Sequence, residues 1–93
     1  KMNTESCDCR NVQKYGGMEK PGDFYFAPRG LDQGIVIILP GDIWVHLKIQ
    51  KGPQGGPRVW GWDGNEDKPT LMPSILAHGH WHGYMTAGRL VSC

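Results

Sequence analysis

From Gly16 onward, fourteen glycines and seven prolines cut the apolar part of this 93-residue chain into short pieces. Glycine inside a helix costs backbone entropy, and proline removes a donor and clashes with the preceding turn. No stretch therefore offers a convincing amphipathic helix, and short strands joined by tight turns are expected. Residues 34–41 (GIVIILPG) form the most apolar run, and its β-branched content favours a buried strand. Residues 43–50 alternate: Ile43, Val45, Leu47 and Ile49 face one way, Trp44, His46, Lys48 and Gln50 the other. The Pro40-Gly41-Asp42 turn between them predicts a hairpin.

The same reading places a strand in residues 23–30, with Phe24 and Phe26 on one face, Tyr25 on the other, and Pro28 and Gly30 ending it. Residues 51–57 read as a loop without a phosphate-loop motif. Trp60 and Trp62 share a strand face before an Asp63-Gly64 turn. Residues 68–77 are extended, but Pro69 and Pro73 place them at a sheet edge or bulge. Residues 81–93 read as a hairpin turning at Ala87-Gly88. The expected fold is all-β: a small antiparallel sandwich or partly open barrel of about six or seven short strands. Residues 1–93 form a single domain, with residues 1–22 an irregular N-terminal arm and 23–93 the β-domain.

Charge narrows the partners. Lys+Arg 10 against Asp+Glu 9 leaves a net charge of +1, without the basic excess that an extended nucleic acid requires. No apolar run approaches the roughly 18 residues of a membrane span, and no secretory leader is visible, so a host-cytoplasmic protein is expected. Lys1 precedes Met2, which reads as the natural start. A thin core and free strand edges favour a homo-oligomer.

The segment WGWDGNEDKPTLMPSIL, followed by WHGYMTAGRLVS, resembles a family of small phage and prophage proteins of unknown function. Their pattern is W-x-W-[ND]-G, then P-T-x-x-P-S-I, then a histidine-glycine strand and a glycine-turned hairpin. It falls here on Trp60, Trp62, Asp63, Gly64, Pro69, Thr70, Pro73, Ser74, Ile75, His82, Gly83, Gly88 and Leu90, about a third of the chain. Some relatives are labelled ammonia monooxygenase, an activity no short chain without membrane spans supports. Many relatives also carry a Cys-Pro-x-Cys knuckle where this chain has Leu39-Pro40-Gly41-Asp42, so no zinc knuckle is expected at that hairpin. The resemblance implies a viral origin and an all-β fold, and it supplies no catalytic residues.

Three constellations bear on chemistry. Cys7, Cys9 and Cys93 with His82 would make a Cys₃His structural zinc site if the arm folds back over the C-terminal hairpin, which would set Cys93 near His82 or His80. Cys-x-Cys is a weaker signal than a doubled Cys-x₂-Cys, and an unligated arm is the simpler alternative. His78, His80 and His82 alternate, so an extended chain projects all three from one face, unless Gly79 breaks the strand. Trp60, Trp62 and Trp81 with His80 and Arg58 compose a candidate stacking surface for a flat, nucleotide-like ligand or a host protein. Ser74 lacks a G-x-S-x-G elbow; with Thr70 it is expected to bond backbone left free by Pro69 and Pro73. His82 is a general base only in the sense that any histidine is. The resulting expectation is a phage-encoded, non-enzymatic binding protein acting in counter-defence. A virion or assembly protein and a zinc-dependent hydrolase are the alternatives.

Overall fold

A computed structural model of the chain describes residues 2–27 and 33–93. Its strands are β1 (Cys7–Asp8), β2 (Arg10–Asn11), β3 (Asp23–Phe26), β4 (Gly34–Leu39), β5 (Ile43–Lys51), β6 (Val59–Trp62), β7 (Leu71–Met72), β8 (Ile75–Ala77), β9 (Trp81–Thr86) and β10 (Arg89–Ser92). They form two sheets, a larger one in the order β2-β3-β4-β5-β6-β7 and a smaller one in the order β1-β10-β9-β8. The all-β sandwich or partly open barrel expected from the sequence is what forms. Most neighbours are antiparallel, while β2–β3 and β5–β6 are parallel.

The β4–β5 hairpin is built as the alternation predicts. Asp42 N–H donates to Leu39 C=O at 3.0 Å, with Gly41 and Asp42 both at positive φ. That turn leaves Ile35, Ile37 and Leu39 of β4 and Leu47 and Ile49 of β5 buried. Phe24 and Trp62 join them, and the layer meets Ile75, Trp81, Met85 and Leu90 from the smaller sheet. Burying each such side chain contributes about 1.5–3 kcal/mol before conformational entropy is counted.

The arm over residues 1–22, expected to be irregular, carries two short strands. Its β1 pairs with β10, and its β2 lies parallel to β3. Asn3 N–H donates to His80 C=O at 2.7 Å, and the indole N–H of Trp81 donates to Glu5 C=O at 2.8 Å. Both sheets present backbone groups that need partners, and the arm supplies them to each in turn. Pairs of residues this short carry no hydrophobic period, so periodicity could not reveal them. The predicted end of β3 at Pro28 and Gly30 lies outside the described residues.

Candidate active site

The chain changes sheets at Pro73-Ser74. β7 is the last strand of the larger sheet and β8 the last of the smaller, and the Met72–Pro73 peptide between them is cis. The two prolines do mark sheet edges, as expected. Asp63 holds the preceding loop, its carboxylate accepting from the N–H groups of Asn65 and Thr70 at 3.1 and 3.2 Å. Thr70 Oγ1 in turn accepts from Ala87 N–H at 2.8 Å, docking this loop on the β9–β10 turn. Trp60, reaching from β6, donates its indole N–H to Ser74 C=O at 3.2 Å. The backbone carrying Ser74 is thus tied to the larger sheet just before it enters the smaller one.

Alternation along β9 decides where His82 points. Trp81, Gly83 and Met85 are buried against the core, so His82, Tyr84 and Thr86 face outward. Opposite His82 on β8 is Leu76, on the same outer face. Ser74 extends the even-numbered series of β8, and its Oγ lies 3.1 Å from His82 Nε2. Both residues are half-buried. For the hydroxyl to donate in this contact, Nε2 must be the unprotonated nitrogen and Nδ1 must carry the proton. That is the tautomer in which a histidine takes a proton from a serine nucleophile. Cys93 Sγ lies 3.9 Å from the same Nε2, and Cys93 N–H donates to His82 C=O at 3.0 Å. No carboxylate among the described residues is bonded to the His82 ring, so the arrangement is a serine–histidine dyad.

Thr70 bonds backbone as expected, and Ser74 does not, its hydroxyl meeting the His82 ring instead. The predicted approach of Cys93 to His82 does occur, because the β9–β10 hairpin turns at Ala87-Gly88. The rest of the predicted Cys₃His set does not assemble. Cys7 pairs with Leu90 and Cys9 N–H bonds Gly88 C=O, so the strand register carries both thiols away from Cys93. Burial pushes the Cys9 thiol up to about 12 and raises that of Cys7. Among the described residues, no group of three or more His, Cys, Asp or Glu side chains is placed to hold a metal.

The alternating histidines are also separated. His80 N–H closes a turn onto Ala77 C=O at 2.8 Å, and Gly79 takes a positive φ of 77° within it. His78 and His80 thus sit on a turn, and only His82 lies in a strand. The proposed stacking surface does not form as one face either. Trp81 and Trp62 are core residues of different sheets, and Trp60 is packed against that core. Arg58 and His80 are exposed at the ends of β6 and β9. Large flat rings in so small a protein serve its interior first. What the sequence reading missed was the pairing of Ser74 with His82, and the P-S-I…H-G pattern already held both residues.

The sequence model of a family described as "Bacterial ubiquitination-like system serine protease (BubE)" matches residues 17–93. No curated protein and no solved structure matches the chain. The expectation of a non-enzymatic protein without catalytic residues is corrected by this match, because the family is described as a protease. The matched segment contains Ser74, His82 and Trp60 and begins after β1 and β2.

Proposed function

The chain belongs to the bacterial ubiquitination-like system serine protease family, and from that premise we propose that it is a serine peptidase with Ser74 as nucleophile and His82 as general base. The observation that carries this reading is the 3.1 Å contact between Ser74 Oγ and His82 Nε2 on the open face of the smaller sheet. Ser74 Oγ attacks the carbonyl carbon of the scissile bond while its proton passes to Nε2. His82 then gives that proton to the leaving nitrogen as the C–N bond breaks, producing an acyl-serine. Water, deprotonated by the same Nε2, attacks the acyl group; the acid leaves and Ser74 recovers its proton. Trp60 acts on Ser74 rather than on substrate, holding its carbonyl and with it the start of β8. The family's description supports a protein of a ubiquitination-like system as substrate, cleaved at a peptide or isopeptide bond.

The test is hydrolysis of a defined peptide library, followed by mass spectrometry, with the wild-type chain, Ser74→Ala and His82→Ala. The proposal expects cleavage by the wild-type chain and a loss of at least about 100-fold in either variant, the scale of a general-base contribution. Undiminished cleavage by Ser74→Ala would refute it.

A further inference from the structure

We infer that the open edge of β8 is the substrate-binding strand: an extended segment of the substrate adds to the smaller sheet there and pairs with the backbone N–H and C=O of Leu76. The inference rests on the peptidase reading above and supplies its mode of substrate recognition. β8 is the terminal strand of its sheet, and no other described strand pairs with it besides β9.

The direction of its backbone groups follows from one hydrogen bond. Cys93 N–H donates to His82 C=O, so the amide groups of His82 face β10. Successive residues of an antiparallel strand turn these groups to opposite sides. Trp81 and Gly83 therefore face β8, where their partners are Ala77 and Ile75. Leu76, between those two, turns its N–H and C=O away from β9 to the open edge. Ser74 has the same parity, and its C=O already accepts a lateral donor, the indole of Trp60.

An added strand lies about 4.8 Å from β8. Beyond the residue paired with Leu76, the substrate runs toward the Ser74 hydroxyl past the Trp60 indole that already holds the Ser74 C=O. On the outer face beside that edge Leu76 is 48% exposed, with Tyr84 of β9 behind it at 43%. Leu76 gives the substrate residue beside it an apolar surface to cover. The cleft lined by Asp8, Lys68 and Arg89 and the one lined by Gly61, Trp62 and Met72 both exclude Ser74 and His82.

The experiment compares peptide cleavage with reaction of a small fluorophosphonate probe, which modifies serine without needing a strand partner. A peptide cleaved by the wild-type chain is resynthesised with each amide nitrogen methylated in turn. Methylation at the position that bonds Leu76 C=O is expected to lower kcat/KM at least about tenfold, and methylation at its neighbours far less. Leu76→Pro removes the outward N–H, and proline is tolerated on an edge. Its peptide cleavage is expected to fall at least about tenfold more than its probe labelling. Equal tolerance at every methylated position, or equal falls in cleavage and labelling, overturns the inference and leaves the dyad standing. Labelling and cleavage that survive in Ser74→Ala overturn the dyad itself.

Discussion

At the scale of single residues, the site is a contact between two side chains that the chain brings together by switching sheets. Ser74 lies in no nucleophile elbow, so its sequence context held no catalytic signature. His82 could be read only as the best-founded of three alternating histidines. The Cys93–His82 approach was legible, because a hairpin turn fixes which residues face each other across it. Ser74 was not, because its pairing depends on where Pro73 redirects the chain. Trp60 offers a specific check. Trp60→Phe keeps the ring against the core and removes the N–H that holds Ser74 C=O. Its kcat on a cleaved peptide is expected to fall while KM stays near the wild-type value. The accompanying loss of stability in urea unfolding should be about 0.5–1.5 kcal/mol, the net worth of one hydrogen bond.

Among the elements, legibility followed length and period. β4 and β5 are long, one continuous in apolar residues and the other alternating, and both appear where predicted. β1 and β2, at two residues each, have no period to detect. β9 shows why the histidine of the pattern is followed by glycine. A Cβ at Gly83 would collide with Val91 C=O and with the ring of Trp81, which fills the inner face of the strand. Gly83→Ala is therefore expected to destabilise the chain by about 1–3 kcal/mol, measured by denaturant unfolding, through overpacking. Because Gly83 lies next to His82, that variant should also lose peptide cleavage as β9 shifts.

For the molecule as a whole, the arm closes both sheets, and a buried ion pair adds to the β2–β3 pairing that attaches it to the larger one. Asp23 is fully buried and its carboxylate accepts from Arg10 at 2.8 Å and from the N–H groups of Glu19 and Lys20. Burial alone would raise its pKa, but these donors outweigh burial and hold it below the ordinary carboxylate value. A carboxylate lowered on folding stabilises the native state above its unfolded pKa of about 3.9 and loses that contribution as pH falls through the lower folded value. Asp23→Asn is accordingly expected to cost about 1–3 kcal/mol at pH 7 in thermal or denaturant unfolding. The gap from wild type should narrow as the pH is taken below about 4. None of this attachment was legible from composition, since a pair thirteen residues apart is made by the fold and not by local sequence.

Activation of Ser74 by His82 is what makes the chain a peptidase. Fluorophosphonate labelling of the folded chain, followed by peptide mapping, measures that directly. The dyad predicts one phosphonyl adduct, on Ser74, that is absent in Ser74→Ala and forms at least about 100-fold more slowly in His82→Ala. An adduct on another residue, or labelling of Ser74 at the same rate without the His82 imidazole, would contradict it.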